Sequence, residues 1–114
     1  MPLEIGKLRH RITLQYPADD GSDGMGGTEY IWTDVDTVWA AVEPKYVREV
    51  LASGAVNLIQ RHEITIRERE VQTTWRVVMD GRYFYIQGIM RPQEYKEYLV
   101  LTTQEGLGDG VSRG

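Results

Sequence analysis

The sequence predicts a mainly β fold: a small β-barrel or sandwich of about six strands, with a long inserted loop or short helix between two of them. Three observations lead there. Several segments alternate apolar and polar residues with period two, or are dense in β-branched and aromatic residues. Turn-forming clusters separate these segments at short intervals, among them Asp80-Gly81, a pair suited to the tight I′ turn of a hairpin. Helical spacing appears in one stretch, and a glycine interrupts it. Short strands in quick succession favour a barrel or sandwich over a parallel α/β sheet.

From Leu8 to Tyr16, Leu8, His10, Ile12, Leu14 and Tyr16 share one face, while Arg9, Arg11, Thr13 and Gln15 share the other. Pro17 ends this strand, and Ala18 to Thr28, rich in Asp, Gly and Ser, reads as a flexible connection. Glu29 to Glu43 carries Tyr30, Ile31, Trp32, Val35, Val38, Trp39 and Val42, a strand composition whose alternation slips around Thr33–Asp36. A bulge in one long strand, or a bend between two, accounts for the slip.

In the stretch from Pro44 to Gln60, Val47, Val50, Leu51, Gly54, Ala55 and Leu58 follow helical spacing. Ser53-Gly54 sits mid-stretch, and glycine costs a helix about 1 kcal/mol relative to alanine. A short or broken helix within a long connection is expected. Strands return at His62–Arg69, at Trp75–Met79 and Tyr83–Met90 flanking Asp80-Gly81, and at Tyr98–Thr103. Residues 1–105 then make one domain with an inserted segment at 45–60, and the glycine-rich residues 106–114 are expected to be a flexible tail.

A chain of 114 residues fits a single core. With no cysteine, disulfides, thiolate zinc sites and a cysteine nucleophile are excluded. No apolar run approaches the roughly 20 residues that span a bilayer, and no signal-like segment opens the chain, so a protein made in the cytoplasm without a membrane partner is expected. The net charge of −4 runs against a dedicated nucleic-acid binder, because phosphate neutralisation supplies most of such affinity.

Catalytic and metal patterns fail on inspection. His62-Glu63 begins like a zinc-protease motif, but Ile66 stands where the second histidine is required, and the segment reads as strand. His10 falls on an apolar strand face, where a packed histidine is the simpler reading. The loop beginning at Asp19 lacks two oxygen donors of a calcium loop, with Gly21 and Tyr30 in their places. Gly24-Met25-Gly26-Gly27-Thr28 has no following Lys-Ser/Thr to cradle phosphate.

Asp34 and Asp36 share a face of a regular strand, as a carboxylate pair would, though a solvated face explains them as well. Arg61, Arg67, Arg69, Arg76 and Arg82 alternate with Glu63, Glu68 and Glu70, which suits salt-bridged faces or subunit contacts better than phosphate tracking. Trp32, Trp39 and Trp75 read as core residues more readily than as base-stacking platforms. No catalytic, cofactor or metal site is expected, and the residues alone point to a β-rich domain that works by binding.

The order of segments adds to this. Leu8-Arg9-His10-Arg11-Ile12-Thr13-Leu14-Gln15 precedes a Gly-Gly pair and Trp32. Val38-Trp39-Ala40-Ala41-Val42-Glu43-Pro44 follows, then a variable stretch and Ile64-Thr65-Ile66-Arg67-Glu68-Arg69. Gly81-Arg82-Tyr83-Phe84-Tyr85-Ile86-Gln87-Gly88-Ile89 and Leu99-Val100-Leu101 complete the set. From Leu8 to Glu105 this series resembles the phage head–tail joining proteins, also called head-closure, stopper or adaptor proteins.

The resemblance implies a small β-barrel whose copies form a homo-oligomeric ring in the virion, at the head–tail interface below the portal and its adaptor. Such a ring retains packaged double-stranded DNA, which passes through the channel without sequence-specific binding, and presents a docking surface to tail proteins. It implies that the inserted segment, about Lys45–Gln60, is the channel or inter-subunit element, with Lys45, Arg48, Glu49, Ser53, Gly54, Asn57 and Gln60 as candidate residues. Arg67, Arg69 and Arg76 are candidate subunit contacts. Thr103 stands where relatives often carry cysteine, and the residues after Glu105 run past the shared pattern. Two other readings are a tail-completion protein and a small barrel binding single-stranded nucleic acid through Trp32, Tyr83 and Tyr85.

Overall fold

A computed structural model describes residues 8–19, 30–94, 96–108 and 111–113. The strands are β1 (His10–Asp19), β2 (Tyr30–Val50), β3 (Val56–Arg67), β4 (Arg76–Met79), β5 (Arg82–Met90), β6 (Tyr98–Gly106) and β7 (Val111–Arg113). They hydrogen-bond in the order β1-β4-β5-β6-β3-β2-β7, and β1 also pairs with β2. The first six strands therefore form an antiparallel sheet that closes on itself in a ring, as the sequence predicts, and leave few strand edges free.

The hydrocarbon core fills this ring. Ile12, Leu14, Ala40, Ile64, Ile66, Val77, Met79, Phe84, Ile86, Leu99 and Leu101 point inward from six strands, and Val71, between β3 and β4, joins the same cluster. Period two dictates the choice: Ile64 faces Leu101 and Ile66 faces Leu99 across the β3–β6 pair, while Val77 lies between Leu14 and Phe84. At Asp80-Gly81 both residues have positive φ, 52° and 74°, the conformation of the expected I′ turn.

The slip in the alternation of β2 is a bulge at Val35. Leu14 pairs with Asp36 and Gln15 with Asp34, so Val35 has no partner on β1. Everything upstream of it changes sides. Trp32 and Asp34 would join Val38 and Ala40 on the inner face of a regular strand; here they lie on the outer face beside Gln15. A second bulge, at Gln87, shifts the β5–β6 register between Ile86 and Gly88.

The described residues contain no helix, and the short helix expected at 45–60 is corrected. β2 and β3 instead run on past the ring as a β-hairpin arm, paired from Lys45–Arg61 to Val50–Val56. Gly54, with φ 89°, lies in the turn at its tip, where Gly54 N–H donates to Leu51 O at 2.8 Å and Leu51 N–H to Ala55 O at 2.8 Å. Ser53-Gly54 marks a reversal of the chain. The flanking Val47, Val50 and Val56 are β-branched and suit an extended backbone.

Part of the segment read as a tail is described. Gly106 still belongs to β6, and Val111–Arg113 add a short parallel strand beside Ile31–Thr33. Residues 109, 110 and 114 lie outside the described residues, as does most of the Ala18–Thr28 connection.

Candidate functional site: an apolar arm and a cationic groove

On the arm, alternation sorts the side chains onto two faces. Pro44, Tyr46, Arg48 and Val50 on β2, with His62, Gln60, Leu58 and Val56 opposite, continue the face that carries Val42 and Ile64 into the core. The apolar lining of the ring thus runs out into solvent. Tyr46 and Leu58 are each 68% exposed and Val50 69%, and Val56 is also exposed. Lys45, Val47 and Glu49 share the other face with Arg61, Ile59 and Asn57.

Every residue expected in the inserted segment lies on this arm. Lys45 pairs with Glu43 at 3.5 Å, Arg48 stands opposite Leu58, Glu49 opposite Asn57 and Gln60 opposite Tyr46. Ser53 Oγ accepts from the Ala55 N–H at 3.4 Å in the turn. Tyr46 and Val56 were not singled out from the sequence, and Val50 and Leu58 only as part of a helical spacing. Their period-two spacing held the signal, but the helical spacing of Val47, Val50, Leu51 and Leu58 competed with it.

The three arginines expected at subunit contacts have separate environments. Arg69 donates to Asp36 Oδ2 at 2.8 Å and, through Nε, to Glu70 O at 3.0 Å. Arg67 is exposed near the Tyr98 ring, 5.9 Å from its centroid. Arg76 requires a correction: it is 1% exposed. On the outer face of β4 its guanidinium is packed over Trp32 and Tyr83, 4.3 Å from each centroid. Its Nε donates to Gln15 Oε1 at 2.7 Å and its Nη1 to Tyr85 Oη at 3.1 Å. Gln15 in turn donates to Asp34 Oδ1 at 2.8 Å, and Tyr85 Oη donates to Leu107 O at 2.6 Å. A planar, weakly hydrated cation suits such stacking, so Arg76 fastens β1, β2, β5 and the end of β6 within one chain.

The same bulge undoes the carboxylate pair read from the sequence. Asp34 accepts from Gln15 on the outer face and Asp36 from Arg69 at the rim, so they share no site. His62 is buried with its ring edge-on to Phe84, centroids 4.9 Å apart, and its carbonyl accepts from Thr103 Oγ1 at 2.8 Å. Among the described residues no group of three His, Asp or Glu stands close enough to hold a metal ion.

On the surface, Arg82 and Glu105 form a two-pronged ion pair, with Nε–Oε2 2.8 Å and Nη2–Oε1 2.7 Å. The hydrogen bond from Arg82 holds the Glu105 carboxyl below its usual range, against the opposing effect of burial. The same bond raises Arg82.

On the outside of the ring, toward the end of β3 remote from the arm, lies a groove of about 340 Å³, lined by Arg11, Asp36, Thr37, Val38, Trp39, Arg67, Glu68 and Arg69. Trp39, taken for a core residue from the sequence, points outward here, is 52% exposed, and carries the Arg11 guanidinium 4.8 Å from its centroid.

A closed antiparallel sheet whose distinctive exposed features are an apolar arm and a cationic groove defines a protein of binding and assembly. The comparisons agree. A family profile described as phage head completion protein matches residues 3–106, and the chain belongs to that family. A chain in a structure titled virion of native gene transfer agent (GTA) particle shares the fold, with TM-score 0.66 at 18% identity, over 88% of this chain and 96% of that one. The solution structure of protein SF1141 from Shigella flexneri 2a is similar over 94% of this chain and 100% of that one, with TM-score 0.62 and 29% identity. No curated protein matches. The chain is a structural component of a virion with a head-related role, a class that is not enzymatic, and it works in contact with other phage proteins. No helix among the described residues is long and apolar enough to cross a membrane.

Proposed function

We propose that the protein joins head to tail as a stopper: copies form a ring below the portal and adaptor, close the DNA-filled head and dock the tail. The arm carries this reading. Continuing a core face some six residues beyond the core leaves Tyr46, Val50, Val56 and Leu58 exposed, and contiguous apolar surface of that kind marks an interaction site. In a ring, the arm lies against neighbouring copies or lines the channel. An overall charge of −4 suits a channel that DNA slides through, since a strongly basic lining would hold it.

A tail-completion protein remains the neighbouring alternative, distinguished by whether the ring binds the portal-side adaptor. For single-stranded nucleic acid, the rings available are few. Trp32 is buried, and the Tyr83 and Tyr85 rings pack around Arg76.

The test is negative-stain microscopy of lysates from the parent phage or prophage with this gene disrupted. Tailless heads, many emptied of DNA, beside finished free tails are the expected result; complete infectious particles would remove the role. Complementation with Tyr46→Asp/Leu58→Asp then isolates the arm. Stability of the purified chain should change by less than about 0.5 kcal/mol, as for exposed positions, while particle yield falls to that of the disrupted gene.

A further inference from the structure

The groove around Trp39 concentrates positive charge on an acidic chain. Asp36 is matched by Arg69 at 2.8 Å and Glu68 by Arg91 at 3.3 Å. Arg9, Arg11 and Arg67 surround Trp39, all exposed, and none has a carboxylate within ion-pair distance among the described residues. Guanidinium groups beside an exposed indole suit an acidic peptide segment, which they can grip in bidentate fashion while the ring covers its backbone.

The sequence holds such a segment. Between Pro17 and Tyr30 stand Asp19, Asp20, Asp23 and Glu29, with no basic residue. It joins β1 to β2 at the end of their hairpin remote from the groove, since Arg11 pairs with Trp39 and Asp19 with Tyr30. Eight residues of strand separate the two ends, roughly 26 Å at about 3.3 Å each. A connection of ten residues, 20–29, must leave and return, so it reaches at most about 18 Å from its anchors. Even at full extension the backbone of this segment stops roughly 8 Å short of the Arg11–Trp39 pair of its own copy, so a neighbouring copy's segment reaches the groove with less ordering cost.

We propose that the groove formed by Trp39, Arg9, Arg11 and Arg67 receives the acidic 19–29 segment of a neighbouring copy. The β1–β2 hairpin is then positive at one end and negative at the other, and copies join head to tail. Such a contact is heterologous, the type that generates a ring when its rotation closes. This interface deepens the ring reading and rests on it, and it is tested separately from it.

The experiment titrates a synthetic peptide of residues 17–30 into the full chain, followed by calorimetry and by the fluorescence of the exposed Trp39. Saturable binding is expected, weakening at least tenfold in Arg11→Glu/Arg67→Glu and falling steeply between about 20 and 300 mM salt. Matching melting curves establish that this variant is folded. Absence of binding at low salt, or equal binding by the folded variant, overturns the proposal. An oligothymidylate that binds more tightly than the peptide also overturns it and gives the groove to nucleic acid. A further mixture checks the pairing: Arg11→Glu/Arg67→Glu chains and Asp20→Lys/Asp23→Lys chains should each fail to self-associate and should co-assemble when combined. Failure here with tailless heads on gene disruption removes only the groove assignment; normal particles with peptide binding intact remove the ring.

Discussion

Replacing Arg76 by methionine should destabilise the fold by about 3 kcal/mol, and the sum behind that figure is instructive. Two hydrogen bonds from a charged group, to Gln15 and Tyr85, are worth about 1.5–3 kcal/mol each. Stacking over Trp32 and Tyr83 adds about 0.5–2 kcal/mol per ring. Against these stands the desolvation of a guanidinium, several kcal/mol, which methionine recovers. Methionine also leaves the buried Gln15 Oε1 without its donor, a penalty of about 1–3 kcal/mol. Urea unfolding measures the balance. With a slope of roughly 1.5 kcal/mol/M, the midpoint should fall by about 2 M at unchanged slope. Arg76→Lys is the decisive companion, because it keeps the charge and discards the planar fork. It should lose at least as much as methionine. An Arg76→Lys chain within about 1 kcal/mol of wild type would refute the account, since charge alone would then suffice.

Two further outcomes follow from local geometry. Gly81→Ala places a side chain at φ 74° in the β4–β5 turn and should cost about 1–2 kcal/mol by urea unfolding, with the fold retained. For Glu105→Gln, pH sets the effect. The folded carboxyl titrates below its ordinary value of 4.5, so its contribution is present above that pH and is lost as pH falls through the lowered value. Melting curves of wild type and variant should therefore differ slightly at pH 7 and converge in acid, and a difference that grows on acidification would contradict the ion pair. High salt should shrink the difference as well, because the pair is exposed.

How much of this was legible in the sequence depends on the range over which each signal acts. Asp80-Gly81 specified its turn because two adjacent residues needing positive φ leave few alternatives. The slipped alternation at Thr33–Asp36 announced a bulge, but not which side chains it would transfer. Trp32 is buried as expected, but under Arg76 on the outer face, and Asp34, expected beside Asp36, moved away from it when Val35 lost its partner. Arg76 was read as a surface residue because its charge is visible in sequence, whereas the rings that bury it come from two other strands. The 45–60 segment misled through a genuine ambiguity: Val47, Val50, Leu51 and Leu58 satisfy a helix, and extension of two paired strands decided the matter. Trp39 was misplaced because composition favours a buried indole, and only register puts it outside.

The bulge at Val35 carries a lesson for comparing relatives. On the β1–β2 pair, inner-face positions of β2 are even-numbered from Asp36 onward and odd-numbered before it. One residue therefore separates two incompatible parities within a single strand. At 18–29% identity, an alignment that runs ungapped through this point can pair an inward residue with an outward one while preserving every hydrophobic match. A relative lacking the extra residue would need a different outer cover for its equivalent of Arg76, so a single-residue gap at position 35 should accompany loss of the arginine, of Trp32, or of both.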